Sequence, residues 1–186
     1  MPDTGAPHFI PFADPTDLVR DWPALSEDVA DAVAAGLDAA GFVKQIVTAT
    51  DTTSRSTTST SYVDASISAT ITPQDAANRL IILWNAMWTA QANSTVPNLT
   101  FGMITDASDN ALIATDGNSV VAHKVSATAA GGFRTRATLI TVVTAGATTA
   151  LTFKGRFRTN TDANAGLARI DNDAAAGQFY IIEVAA

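Results

Sequence analysis

From residue 43 to residue 185, the sequence is a succession of short β-type segments separated by turn residues. Residues 66–72 alternate strictly between apolar and polar side chains, which is the period of a strand with one buried face. Residues 79–90 are apolar on both faces and therefore predict a central strand. No helical period interrupts the succession, so no crossover helix is available to join parallel strands. The pattern predicts a mainly β domain, an antiparallel two-sheet β-sandwich of jelly-roll type.

Two of these segments, residues 133–143 and 148–159, flank a short turn at residues 145–147 and predict a β-hairpin. Their pairing would bring the main basic residues of the domain onto one sheet face, namely Arg134, Arg136, Arg156 and Arg158, with Lys154 beside them. Such a cluster is a candidate for recognition of an anionic surface or a glycan. The alternative is a solvated face that meets acidic residues of a neighbouring subunit.

The charge of the chain is concentrated at its N-terminus. The chain has 11 Lys and Arg against 18 Asp and Glu, a formal net charge of −7. Residues 1–40 contain eight of the acids and one base, whereas residues 41–186 contain ten of each. Because such asymmetry is typical of an arm with its own partner, we divide the chain into an arm with a helix, residues 1–41, and a sandwich domain, residues 42–186.

The arm is predicted to have two parts. The prolines of residues 1–13 favour an extended path. Residues 14–40 predict a helix that begins at Asp14-Pro15 and ends at Gly41. One apolar stripe of this short helix is formed by Leu25, Val29, Val33 and Leu37. A helix this short is not stable alone, so we expect the stripe to pack between chains and to trimerise the protein.

Composition excludes several classes of function. The absence of Cys and the presence of only two His argue against disulfides and against thiolate or multi-His metal sites. The acidic balance argues against nucleic-acid binding, and no apolar run approaches the length of a membrane span. Residues 1–20 do not resemble a signal peptide. We therefore predict no cofactor, no metal, no membrane insertion and no enzymatic activity, with a carboxylate-only glycosidase as the alternative left open.

Three acids, Asp106, Asp109 and Asp116, lie close together in sequence and could bind Ca²⁺, but their spacing favours ordinary turns. His123 lies at strand spacing and is predicted to be partly buried or in an interface. The sequons at Asn93 and Asn98 matter only in a secreted eukaryotic protein. Five aromatic residues could stack on sugars, namely Trp84, Trp88, Phe101, Tyr62 and Tyr180. Of these, Trp84 is predicted to lie in the core instead.

Two stretches carry a resemblance to a known family. Residues 10–30, Ile-Pro-Phe-Ala-Asp-Pro-Thr-Asp-Leu-Val-Arg-Asp-Trp-Pro and onward to Ala30, resemble the N-terminal segment of minor tail or fibre proteins of tailed bacteriophages that infect actinobacteria. Residues 50–64, with Ser-Thr-Ser-Tyr-Val-Asp, and the following Ile71-Thr-Pro73 are similar to the opening of β-sandwich head domains in phage fibres. Together the two resemblances cover about residues 8–75.

The resemblance implies a virion protein that is made in the cytoplasm of the bacterial host. It implies a homotrimer whose arm docks on other virion proteins and whose sandwich domain faces the host surface, with a host glycan as a partner. The residues that we expect to dock are His8, Phe9, Ile10, Phe12, Asp14, Asp17 and Trp22. The cell-facing loops would be residues 93–98, 106–110 and 160–166. The alternative is a capsid decoration or head fibre protein bound to the major capsid lattice.

Overall fold

The computed structural model describes residues 28–33, 43–92, 98–112, 131–160, 166–173 and 175–186. Residues 28–33 form a helical segment, α1. Nine β-strands follow: β1 Val43–Asp51, β2 Arg55–Thr57, β3 Val63–Ile71, β4 Arg79–Ala92, β5 Thr100–Asp106, β6 Gly131–Thr144, β7 Leu151–Thr159, β8 Gly166–Ile170 and β9 Gly177–Val184. Among the described residues, no helix is long and apolar enough to cross a membrane.

The strands form two antiparallel sheets. Sheet A contains β1, β2, β4, β6, β8 and β9, and sheet B has the order β3-β7-β5. In sheet A, β4 pairs with β6 on one side and with both β8 and β9 on the other. Since β1 pairs with β9 and β2 with β8, these shorter strands lie end to end. Sheet A is therefore four strand positions wide, with β6 at one edge and β1 and β2 at the other.

Most successive strands lie in different sheets. Sheet A holds β1, β4, β6 and β9, and sheet B holds β3, β5 and β7 between them in the chain. A bridge between Thr105 and Ala111 extends sheet B beyond β5. Apart from the β1–β2 and β8–β9 connections, which stay within sheet A, each connection crosses the sandwich, as in a jelly roll. The predicted mainly β, antiparallel sandwich is confirmed.

The core lies between the sheets and centres on two indoles. Trp84 and Trp88 of β4 are fully buried and pack edge to face, with ring centroids 4.7 Å apart. Sheet B makes room for them with glycine, because a Cβ on Gly102 would lie 2.3 Å from Trp88 and one on Gly155 would lie 2.9 Å from Trp84. The apolar alternation predicted for β3 is confirmed, since Ile67 and its alternate neighbours are buried in this core.

The predicted hairpin is wrong. β6 pairs with β4 in sheet A, whereas β7 pairs with β3 and β5 in sheet B. The turn at residues 145–147 therefore crosses between the sheets, and Gly146 adopts a positive φ of 71° within it. Sequence period reveals that two segments are strands but not which partner each selects, because neighbours in sequence pair only about two-thirds of the time.

The helix and the arm are described only in part. α1 lies inside the predicted helix, and it includes Val29 and Val33, of which Val33 is 44% exposed. The other two residues of the predicted trimerisation stripe, Leu25 and Leu37, lie outside the described residues, as do all seven predicted docking residues between His8 and Trp22.

Candidate functional site

The outer face of sheet A changes character along its strands. At the arm end, where β1 begins and the chain enters from the N-terminal side, it is apolar. At the opposite loop end, where Ala92 pairs with both Gly131 and Gly166, it carries arginines. We call the first part the apolar half, and its members lie on four neighbouring strands: Val43, Ile46, Ile81, Leu83, Ile140, Val142, Tyr180, Ile182 and Val184.

Cross-strand register organises the apolar half into continuous rows. One row runs across the sheet as Val142, Ile81, Ile182 and Ile46, each opposite the next. The row beside it consists of Ile140, Leu83, Tyr180 and Thr48. Exposure is greatest at the two edges of the sheet, with 57% for both Ile46 and Ile140. β-branched side chains pack well beside one another on a pleated sheet, and most members of these rows are of that kind, so the rows form a continuous hydrophobic surface.

The arginine half is anchored by a buried carboxylate. Asp171, directly after β8, is fully buried and forms ion pairs with Arg169 and with Arg134, the latter at 3.0 Å. Thr89 donates a hydrogen bond of 2.5 Å to the same carboxylate. Arg136 donates to the amide oxygen of Asn85 at 2.5 Å and thus lies in the same region. The guanidinium groups are therefore held in place at a partly exposed surface.

Polar side chains connect the strands that lie end to end in sheet A, β1 with β2 and β8 with β9. Arg55 forms an ion pair with Asp51, and the amide of Asn172 donates to Asp51 at 2.9 Å. Ser54 donates to Asp173 at 2.6 Å across the same junction. Burial by itself would raise the pKa of Asp51, but hydrogen bonds, led by that from Arg55, outweigh it and lower that pKa. The carboxylate is thereby kept in its charged, hydrogen-bonded form.

Sheet B carries the other two predicted arginines. Arg156 forms an ion pair of 2.8 Å with Asp109, which also pairs with Lys154 at 2.6 Å. The guanidinium of Arg158 lies 4.2 Å from the ring centroid of Phe101 and 5.1 Å from that of Tyr62. The single basic cluster predicted from the hairpin is therefore wrong, because Arg134 and Arg136 lie on the opposite sheet. The carboxylates that pair with Arg134, Lys154 and Arg156 belong to this same chain and lie in its connections, Asp171 after β8 and Asp109 in the turn after β5.

A buried glutamate closes the arm end of the sandwich. Glu183 is fully buried and accepts hydrogen bonds from Asn78 at 2.6 Å, from Gln45 at 2.6 Å and from the backbone N–H of Gln74 at 2.8 Å. Burial alone would raise the pKa of Glu183, but these hydrogen bonds outweigh it, led by that from Asn78, and the pKa is lowered. Glu183 thus joins β9, β1 and the β3–β4 connection.

The turn interpretation of the acidic residues is confirmed where they are described. Asp106 accepts hydrogen bonds from the backbone of Ser108 and Asn110, and Asp109 occupies a positive φ of 68°. The hydrogen bond from the Asn110 side chain is the main cause of the lowered pKa of Asp106. Among the described residues, no group of three metal-ligating side chains is present. Asp116 lies outside the described residues.

Other sequence candidates acquire structural roles. Trp84 and Trp88 are core residues, as predicted for Trp84, and Tyr180 lies in the apolar half. The side chain of Asn98 is fully buried and bonds to Gln91 and Leu167, so its sequon is not accessible in this fold. His123 and Asn93 lie outside the described residues.

The expected cell-facing loops do not lie together. The described residues that flank the loops 93–98 and 160–166 lie at the loop end of the sandwich, opposite the start of β1. The 106–110 turn instead follows β5 at the arm end, because Asp106 lies opposite Phe153 near the start of β7. The 106–110 turn and the strand ends that flank the other two loops therefore lie at opposite ends of the sandwich.

Sequence reasoning missed the residues that organise these surfaces. β8, with Arg169, was not predicted, and neither were the anchoring roles of Asp171 and Glu183. Only one sequence signal was available: Glu183 stands at an inward position of an alternating strand, where a charged side chain is unusual. The apolar half has no local signal, because its rows are assembled from four distant segments.

Comparison with known proteins yields a limited similarity. No protein-family model and no curated protein matches the chain. Among solved structures, the chain is similar to the VP2 protein of infectious bursal disease virus in derived T=1 particles, at 14% identity and a TM-score of 0.34. It is similar also to VP2 in a subviral particle of that virus, at 15% identity and a TM-score of 0.32. The match covers 76% of this chain and about two-fifths of VP2, 39% and 40% respectively. Similarity at this level carries no argument about function.

Proposed function

We propose that this chain is a structural subunit of a bacteriophage virion, of the trimeric tail-fibre or receptor-binding type. Its acidic arm anchors it to other virion proteins, and its sandwich domain faces the host. The observation that carries the proposal is the division of the chain into a jelly roll without net charge and an arm of 40 residues that carries the entire net charge of −7. A charged, aromatic arm favours docking on a basic, grooved partner.

The side-chain chemistry of the described residues supports a structural role. Asp171 and Glu183 are both tied to structural donors, and Asp109 is paired with two cations of its own sheet. These acids hold strands and turns together, which is what a shell or fibre protein requires of its domain. We therefore assign the protein a structural rather than an enzymatic role.

The arginine half supports an outward role for the loop end. Arg134, Arg136 and Arg169 outnumber the single carboxylate, Asp171, that anchors two of them. Guanidinium groups held in this way recognise carboxylates and phosphates well, because their geometry is fixed in advance. We propose that the contact with an anionic host-surface glycan is made here, at the end of the domain opposite the start of β1.

The proposal is tested by the composition of virions. Phage produced without the native chain is complemented with the full chain or with a chain that lacks residues 1–22, and purified virions are probed with an antibody against the sandwich domain. We expect the truncated chain to be soluble but missing from virions. Incorporation of the truncated chain would show that docking lies elsewhere, and absence of the full chain from virions would overturn the proposal.

A matched pair of variants separates specific docking from total charge. Asp14→Asn/Asp17→Asn and Asp28→Asn/Asp31→Asn each remove two negative charges, but only the first pair falls within the predicted docking residues. We expect the first to lower incorporation and the second to leave it near the parent level. A cryo-EM map of the same virions distinguishes the tail-fibre type, with a few copies on the tail, from capsid decoration, with many copies on the shell.

A further inference from the structure

The apolar half of sheet A is exposed in a single copy of the chain. Ile46 and Ile140 are each 57% exposed, and they lie on opposite edges of the sheet. Val142 beside Ile140 is 50% exposed and Val43 beside Ile46 is 53% exposed, so the surface is most open at its two edge strands, while its members on β4 and β9 are partly exposed. We propose that a second copy of this chain covers the apolar half, so that the sandwich domains of the oligomer contact one another through it. The inference rests on the proposed homotrimer and deepens it by naming the interface.

The chemistry of the surface favours an identical copy over a charged or sugar partner. The two central rows contain aliphatic side chains with only Tyr180 and Thr48 carrying hydroxyl groups. A glycan or the acidic arm would leave its polar groups without partners here, which costs free energy. The apolar halves of copies that face one common axis supply aliphatic side chains to one another, which leaves no polar group without a partner. Because residues 41–186 have equal numbers of acids and bases, two sandwich domains also approach without net repulsion.

The position of the surface also favours a second copy. The apolar half lies at the arm end, and Val43 follows Val33 of α1 by only ten residues in sequence. Val33 belongs to the predicted trimerisation stripe and is 44% exposed. Copies that meet around one axis would bury both the stripe and the apolar half, whereas an unrelated partner would have to cover two separate surfaces.

The area of the apolar half determines whether it could hold an oligomer together by itself. Four strand positions about 4.8 Å apart and two rows, with the valines beside them, give a patch of about 300 Å². A stable interface of standard size buries about 800 Å² on each partner. The apolar half alone is therefore too small to hold a trimer together. It contributes together with the helix stripe, so we expect the loss of either one to dissociate the trimer.

The test uses the full chain and light scattering after size-exclusion chromatography. The variant Ile46→Lys/Ile140→Lys places two cations in the apolar half. Its matched control, Thr50→Lys/Thr138→Lys, places two cations on the same strands and the same face, in the next polar row. We expect the parent and the control to be trimers and the isoleucine variant to be a monomer at the same concentration. A milder variant, Ile46→Thr/Ile140→Thr, retains β-branched side chains and is expected to raise the concentration needed for assembly.

The possible outcomes distinguish an error in the proposed interface from an error in the proposed homotrimer and from an error in the virion location. If both isoleucine variants stay trimeric, the interface is elsewhere and the homotrimer stands. If the parent is a monomer while the lysine variant alone is lost from virions, another virion protein covers the face and a second copy does not. If the parent is a monomer and the lysine variant is incorporated normally, the proposed interface and the trimer are both overturned, whereas the virion location stands.

Discussion

The two halves of one sheet face share the strands β4 and β6 but are stabilised by different interactions. In the arginine half, Arg134 and Arg169 are partly exposed, yet each is tied to the buried Asp171. In the apolar half, Ile46 and Ile140 are more than half exposed, and no described part of the chain covers them. A buried ion pair couples a surface to the fold, whereas an exposed apolar patch leaves the surface available to a partner. We therefore expect substitutions in the first half to reduce stability and substitutions in the second to reduce assembly.

The largest expected effect breaks the anchor of the arginine half. Asp171→Ala removes the acceptor of Arg134, Arg169 and Thr89, and we expect it to lower the free energy of unfolding by about 3 kcal/mol. Denaturant-induced unfolding measures the change. Asp173→Ala is the control, because Asp173 is exposed and lies outside this network. Equal losses in the two variants would contradict the anchoring role.

The second effect concerns the arm end beneath the apolar half. Glu183→Gln presents an amide N–H₂ group to the donors of Asn78 and Gln45, so we expect a loss of about 2 kcal/mol at pH 7. Because folding lowers the pKa of Glu183, its contribution is complete above the unfolded pKa of about 4.3 and declines as the pH falls through the folded pKa.

Stability measured against pH tests this assignment. The difference between the parent and Glu183→Gln should be constant from pH 7 to about pH 5 and should shrink in more acidic solution. Asp51 and Asp106 also have lowered pKa values and are present in both proteins, so the comparison cancels their contributions. A difference that grows as the pH falls would contradict the sign.

A smaller effect on the free energy of unfolding is expected when Arg134 is removed and Asp171 is kept. The side chain of Arg134 is half exposed. When Arg134 is removed, Asp171 still has Arg169 and Thr89 as partners. We expect Arg134→Ala to cost less than about 1 kcal/mol and to show little further loss when added to Asp171→Ala. A double-mutant cycle measures this coupling. Additive losses would mean that Arg134 contributes independently of the carboxylate.

The smallest effect on stability belongs to the apolar half. In the monomer, the changes of Ile46→Lys/Ile140→Lys occur at exposed positions, so we expect each to alter the free energy of unfolding by no more than about 0.5 kcal/mol. The measurement is made at a concentration at which the parent is also monomeric, because assembly adds apparent stability. A loss comparable to that of Asp171→Ala would show that the two halves do not differ as proposed.

The arm can be compared with the sandwich domain in the same way. Leu37→Asp places a charge in the predicted helix stripe, and we expect it to break the trimer while leaving the unfolding of the sandwich domain unchanged. Light scattering of the full chain and thermal unfolding measure the two quantities. A trimeric variant would contradict the helix stripe as an interface.

Most strands of the fold were predictable because they bury one face against one core. The alternation in β3 and the doubly apolar β4 require nothing beyond their own residues, and both predictions are confirmed. β8 was not predicted, because its short segment Gly166–Ile170 lacks a strong period. The hairpin between β6 and β7 was wrong because the turn between them crosses the sandwich, and turn residues alone do not reveal that choice.

The sequence by itself determined the β class, the alternation of buried and exposed residues and the concentration of net charge in the first 40 residues. These depend on local period and composition. Only the tertiary structure decided that Arg134 and Arg156 lie on different sheets, that Asp171 and Glu183 are buried anchors, and that Val142, Ile81, Ile182 and Ile46 form one row. The physical reason is that strand pairing joins segments far apart in the chain, and each side chain's neighbours are fixed by that register rather than by the residues beside it.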